Sequence, residues 1–356
     1  MITRELKLKP TKAQEKLLND WLWNLTGVFN WAVRKIEQDA GDGIYYSKKD
    51  FQNLLADHGK KISIPSHTMQ GTLVQAWDAW SRCFKKIARK PRLKSVRNKL
   101  NSISFPDPIK KVSVKDNRIN LPTIKSVRFH KQELPEGAIK CARIIRRASG
   151  WYIQLTMDAV HIFKVKDTDK AVGIDTGFKH LAVLSDRTKF ENPRPLIKSQ
   201  ERLAQAQRGK RKKLVARLHE RISNQRKDYN HKVSRKIVED YSKIYCTNDN
   251  LKGQAKTFGK SVGDAGISQL RQFISYKSDN HGREFGLVAS PKTTMTCSEC
   301  GALTGPSGWA GLSVRFWECS GCGVKHDRDV NSGNVILKVG LGSRLVSNNE
   351  GIQCWV

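Results

Sequence analysis

The sequence predicts a multidomain α+β protein, and three observations carry that prediction. Apolar residues recur at three- and four-residue spacing over residues 11–95, then give way to short alternating strands over 96–168. Residues 169–290 return to mixed strands and helices. Two Cys-x-x-Cys pairs then mark out a small motif within 291–323. At roughly 100–200 residues per domain, a chain of 356 residues accommodates two to three such units.

Each element has its own signal. MITRELKLKP alternates at Ile2, Leu6 and Leu8, as a single strand does. PTKAQEKLLNDWLWNLTGVFNWAVRKI reads as a helix started by Pro10 and Thr11. SHTMQGTLVQAWDAWSRCFKKIA is a second helix, with Trp77 and Trp80 three residues apart on its core face. NSISFPD, KVSVKDNRINLP, SVRFHK and WYIQLTM are short strands broken by turn residues, which suggests a small β-barrel. A long basic helix pair falls at about 195–240, and a helix-like stretch starts near Asp329 in HDRDVNSGNVIL. The tail, 342–356, carries no structural signal.

Charge sets the partner class. Lys and Arg number 65 against 33 Asp and Glu, a formal +32. Such a surface binds polyanions strongly and in a salt-dependent way. The charge is clustered. Lys85, Lys86, Arg89, Lys90, Arg92, Lys94 and Arg97 leave the helical region; Arg128, Lys131, Arg146 and Arg147 decorate the strands. Arg208, Lys210, Arg211, Lys212, Lys213, Arg226 and Lys227 form a nearly continuous basic face, whose apolar stripe is only Leu214, Val215 and Leu218. Four clusters on three regions point to a shared nucleic-acid surface rather than to solvated faces. No run approaches the ~18 apolar residues of a membrane span, and MITRELKLKP has no apolar stretch behind its charges. The expected setting is therefore cytoplasmic and nucleoid-associated, without a membrane partner.

Cys297-x-x-Cys300 and Cys319-x-x-Cys322 have eighteen residues between them. Two such knuckles complete a tetrahedral zinc site whose four positions are all protein-filled, hence structural rather than catalytic. Cys83, Cys141, Cys246 and Cys354 read as ordinary small apolar residues.

The carboxylates are less complete. Asp175 sits at a strand end in AVGIDTGFKHLAVLSD, and Asp329 begins a helix. The apolar strand of YSKIYCTNDNLKG offers Thr247 where a matching acid is expected. A nuclease holding two divalent cations needs hard oxygen ligands converging from several elements. Asp249 follows two residues later, and its position in the NDN turn reads as a turn-capping acid.

The ordered series KLKPTKAQ, KPRLKS, VGIDTGFKHLAVLSD, ARLHERISNQRKDYNHKVSRKIV, NLKG, CSECG…CSGCG and HDRDVNSGNVI resembles the TnpB family of transposon-encoded RNA-guided nucleases, relatives of the type V CRISPR effectors. The resemblance covers residues 1 to about 340. It implies a wedge β-barrel (1–10 and 96–168), a helical recognition domain (11–95), a RuvC-like RNase H fold (169–290 and 324–341, with the basic helical insertion at about 195–240) and an inserted zinc ribbon (291–323). It also implies a guide RNA, a double-stranded DNA target beside a short flanking motif, and three cutting carboxylates. Asp175 and Asp329 take the first and third places. The family's second is a glutamate three residues before the Asn of its turn, which the NLKG register places at Thr247, with Asn248 after it.

That departure resembles the nuclease-dead members of the family, the TldRs. On this reading no catalytic residue is active, Mg²⁺ is weakly held or absent, and the chain is no enzyme but a guided transcriptional repressor that blocks RNA polymerase. The alternative is an active RNA-guided endonuclease that uses Asp249 in place of the glutamate. A third reading drops the guide and leaves a generic DNA-binding transposon remnant. The sequence leaves the guide, the flanking motif and the oligomeric state open.

Overall fold

The computed structural model describes residues 1–55, 62–106, 113–159, 163–288, 292–311 and 313–342. The chain divides into two compact units, Met1–His161 and Ile162–Val356. Residues 343–356, most of the tail, lie outside the described residues.

In the first unit, β1 (Ile2–Lys9) leads into helix α1 (Lys12–Gly41). Thr11 starts that helix through a reciprocal pair: its hydroxyl accepts from the Gln14 N–H at 3.3 Å, and Gln14 Oε1 accepts from the Thr11 N–H at 3.0 Å. The Gln14 amide also donates to the carbonyls of Ile124 and Ser126, tying the helix start to a strand. A short α2 (Lys48–Asn53) precedes α3 (Ser66–Phe84). Leu18, Trp21, Leu22 and Leu25 of α1 share one core with Leu73, Ala76 and Trp80 of α3 and with strand residues Leu6, Ile103, Ile144 and Ile153.

The strands are β2 (Ser102–Phe105), β3 (Ser113–Lys115), β4 (Arg118–Leu121), β5 (Lys125–Phe129), β6 (Ile139–Arg147) and β7 (Gly150–Met157). With β1 they make a seven-stranded sheet in the order β2–β6–β7–β1–β5–β4–β3, every pairing antiparallel. The second predicted helix stops four residues early. Lys86 adopts φ +58, a left-handed value that ends a helix of L-residues, and 85–100 runs on without helix or strand.

The second unit is built on a mixed sheet in the order β10–β9–β8–β11–β12. Strands β8 (Ala171–Thr176), β9 (His180–Leu184) and β10 (Lys189–Glu191) run antiparallel; β11 (Lys243–Thr247) joins parallel to β8, and β12 (Glu284–Val288) parallel to β11. Strand β11 is buried on both faces. Ile244 and Cys246 join the core made with Val233, Ile237 and Ile274, whereas Tyr245 faces Val335, Ile336 and Val339. Those contacts come from α5 (Lys212–Asp240) and α7 (Ile267–Asn280) on one side and from α8 (Arg328–Gly340) on the other. Helix α4 (Pro195–Arg208) packs on α5 through Leu203, Ala206 and Leu218, with the predicted narrow stripe of Leu214 and Val215 beside them. Helix α6 (Leu251–Ala265) begins after β11, its N-cap Asn250 accepting from the Gly253 N–H at 2.9 Å.

Gly173 sets how closely α8 approaches the sheet. A Cβ there would stand 2.0 Å from the Gly333 carbonyl oxygen and 2.5 Å from the Leu337 nitrogen. Among the described residues no helix is long and apolar enough to cross a membrane.

Candidate functional site

Asp175 is the penultimate residue of β8, and Thr247 ends the neighbouring parallel strand. The ladder pairs Cys246 with Ile174, which brings Thr247 level with Asp175. Asp329 lies in the first turn of α8, just after the N-cap Asp327, whose carboxylate accepts from the Asp329 and Val330 N–H groups. The close crossing at Gly173 carries Asp329 across to Asp175. Both line one cleft of about 360 Å³, together with Gln254, Phe258 and Arg315. Burial pushes the Asp175 carboxyl up to about 8, and the negative charges of Asp329 and Asp249 push the same way. Two carboxylates therefore share this cleft, and the third, Asp249, lies outside its lining.

Asp249 is not the turn cap that its position in the NDN turn suggests. Asn250 does the capping, which leaves the Asp249 side chain free to fold back along β11. Its Oδ2 accepts from the Thr247 hydroxyl at 2.7 Å and from the Arg271 guanidinium at 2.6 Å. Arg271 also reaches the Thr176 hydroxyl at 3.0 Å and the Thr247 hydroxyl at 3.3 Å. Arg315 pairs with Asp329 at 3.3 Å. Neither arginine stands out from composition. Arg271 had one legible signal: in ISQLRQFISYK it sits on the apolar face with Ile267, Leu270 and Ile274.

The four cysteines form the second candidate centre. Their sulfurs all lie within 4.8 Å of one another, with Cys297–Cys322 at 3.7 Å and Cys300–Cys319 at 3.6 Å. Tetrahedral zinc with bonds of about 2.3 Å requires sulfur separations of about 3.8 Å, so the donor set fits. The Thr304 hydroxyl donates to Cys319 Sγ at 3.1 Å, and His326 Nε2 lies 3.1 Å from Cys297 Sγ. The knuckle is also tied to α8. The Asn331 side chain accepts from the Ser298 N–H at 2.8 Å and donates to the Thr296 carbonyl at 2.7 Å, while Lys338 donates to the Ser298 carbonyl.

The basic residues divide into two kinds. Lys85, Lys86, Arg89, Arg92 and Arg97, with Arg128 and Lys131, are exposed in the first unit; Arg208, Lys210, Arg211, Lys212, Lys213 and Lys227 are exposed in the second. Others are committed within the fold. Arg147 pairs with Glu5 and stacks over Tyr152, while Lys90 pairs with Glu37 but stays exposed. Lys94 lies over the Phe29 ring, Arg146 over Trp151, and Arg226 donates to the Gly263 carbonyl. Of the two predicted core tryptophans, Trp80 is buried and donates to the Val33 carbonyl, while Trp77 is half-buried against the same core and donates to the Tyr46 carbonyl.

Comparison with known proteins covers the same ground. Residues 154–254 match the OrfB_IS605 family, described as "Probable transposase", and 268–336 match the "Cas12f1-like, TNB domain" family. The first span holds Asp175, Thr247 and Asp249; the second holds the four cysteines and Asp329. By these matches the chain is similar to the TnpB family. A "Putative RNA-guided DNA endonuclease" of Streptomyces pristinaespiralis is 29% identical over 79% of this chain and 73% of its own. The "Putative RNA-guided DNA endonuclease InsQ" of Escherichia coli K12 is 26% identical over 94% and 91%. A solved Cas12f1 complex with guide RNA and target DNA aligns over 95% of this chain and 99% of its own, at 17% identity and a TM-score of 0.40. Relatives named as endonucleases overturn the expectation that the chain is no enzyme. The nuclease-dead, repressor reading is set aside with it.

Proposed function

We propose that this chain is an RNA-guided DNA endonuclease whose cutting centre is built on Asp175 and Asp329, with Asp249 as the adjoining third carboxylate. The observation that carries this reading is that Asp175, from β8, and Asp329, from the start of α8, line one cleft, with Asp249 hydrogen-bonded to Thr247 on the neighbouring strand. The sheet order, an antiparallel meander extended by two parallel strands, fits a RuvC-like RNase H fold. The seven-stranded sheet and the α1–α3 helices fit the wedge and recognition regions of such a protein.

Asp175 and Asp329 would hold a divalent cation, which supplies Lewis-acid polarisation of a phosphoryl oxygen and an activated water when bound. The chain's own part is placement. The glycine contact between β8 and α8 fixes the separation of the two strand-end and helix-start acids, and Arg315 orients Asp329. Guide RNA and double-stranded DNA are the partners that a +32 chain with exposed basic runs would take, sequence being read by guide pairing and the protein holding backbone and shape. The ribbon cysteines hold structural zinc.

The test has two arms. RNA that copurifies with the full chain is sequenced, and a plasmid carrying the complementary target is incubated with the complex and Mg²⁺. Cleavage that is lost on Asp175→Ala or Asp329→Ala supports the reading. Intact guided binding with no cleavage of any target, or the absence of a discrete RNA, would sink it.

A further inference from the structure

The cutting centre holds a cation of its own. Arg271 is 8% exposed, and its Nη2 contacts Asp249 Oδ2 at 2.6 Å and the hydroxyls of Thr247 and Thr176 at 3.3 and 3.0 Å. Its guanidinium is the positive partner of that cluster. Three polar side chains at the β11 end of the site thus face Arg271: the threonine at the family's glutamate position, the substitute acid, and the residue beside Asp175. Asp249 is also missing from the lining of the cleft that Asp175 and Asp329 share.

Charge and donor count point the same way. Two divalent cations bring four positive charges to a cluster of three carboxylates that already contains Arg271 and Arg315. Coordinating a second ion at Thr247 would need either a neutral hydroxyl, a poor ligand for a hard cation, or an Asp249 pulled off its buried arginine. The latter would strand a desolvated charge. The donor set does not fit a two-metal centre.

We propose that Arg271 is the resident cation of the β11 half of the site, so that the chain takes a single divalent ion, between Asp175 and Asp329, with Asp249 as the counter-ion of Arg271 rather than a metal ligand. Arg271 is then a positioning residue: it holds Asp249 and Thr247 against the strand ends and neutralises one carboxylate beside the bound ion. The inference rests on the reading of Asp175 and Asp329 as the metal-holding pair.

Mn²⁺ is the probe. The full, zinc-loaded chain is titrated and free Mn²⁺ followed by electron paramagnetic resonance, with circular dichroism of each variant as a check on folding. One Mn²⁺ per chain is expected. Asp329→Asn should weaken it by about tenfold or more, the scale of a lost metal-site group. Asp249→Asn should leave the stoichiometry at one Mn²⁺ and weaken binding less than Asp329→Asn does. The paired change Arg271→Met with Thr247→Glu should add a second Mn²⁺; Arg271→Lys, which keeps the charge, should not. Two Mn²⁺ on the unmodified chain, none at all, or a loss on Asp249→Asn as large as on Asp329→Asn would overturn the proposal. Guided cleavage measured alongside separates the two readings: one Mn²⁺ without cleavage removes the nuclease but keeps the single-ion site, and cleavage with two Mn²⁺ does the reverse.

Discussion

Gly173 and Gly333 bring the backbones of a strand and a helix together with no side chain between them. A Cβ on Gly173 would stand 2.0 Å from the Gly333 carbonyl oxygen, a clash that backbone cannot yield to without moving α8. Gly173→Ala should therefore destabilise the second unit by about 3 kcal/mol, the upper end of overpacking costs. Urea midpoints measure this, and cleavage should fall further than stability alone explains, because Asp329 travels with the helix.

The four-cysteine centre, holding zinc as proposed, should behave as a brace for that same helix. Stripping the metal frees the Ser298 and Thr296 groups that hold Asn331. Hydrogen exchange in α8 should rise when zinc is removed by a chelator, or in Cys297→Ser. Asn331→Ala should raise it while leaving zinc content at one ion per chain. Unchanged exchange in α8 after zinc loss would separate the ribbon from the carboxylates.

Asp264 is buried and caps a helix that is distant in sequence. Its carboxylate accepts from the N–H groups of Leu196 at 2.8 Å and Ile197 at 3.3 Å, at the start of α4, where Arg194 offers no side-chain cap. Asp264→Ala should cost about 1–2 kcal/mol, the range of a lost N-cap, and thermal melts will show it.

Lys277 makes stability depend on pH. Burial, and then the neighbouring Arg235, lower its amine from 10.5 to about 8. The charged form is thus penalised in the folded state, and between these values the unfolded chain binds the extra proton. Stability from this group should be lowest and flat below pH 8, and rise towards pH 10.5. The difference between the natural chain and Lys277→Met, followed by urea unfolding across that window, should carry this slope.

Exposed and committed basic residues should separate in binding. Lys212→Ala with Lys213→Ala should weaken nucleic-acid binding and flatten its salt dependence, by a slope of about one for each phosphate left without its lysine. Arg147→Ala should instead lower the stability of the first unit, since it pairs with Glu5 and stacks on Tyr152. Filter binding at several salt concentrations, with melts in parallel, distinguishes the two.

Much of this was legible in the chain because the signals are local. Thr11 and Gln14 sit three apart and cap their helix, and the two Cys-x-x-Cys pairs bring their own geometry. Ile244, Tyr245 and Cys246 alternate between two cores in a run that reads as continuous apolar strand. What escaped reading is long-range. Arg271 is 22 residues from Asp249, and nothing local joins them. With Asn250 taking the cap, Asp249 passed for a turn residue. The end of α3 was missed because a left-handed lysine gives no pattern in a basic run.

Asp175 and Asp329 are also far apart in order of synthesis. The strand bearing the first emerges early, but its partner arrives with α8, after the basic helices and the ribbon have been made. A nascent or truncated chain therefore carries its exposed basic helices before it can assemble the acid pair. During translation the long basic face is complete while the second acid is still unmade.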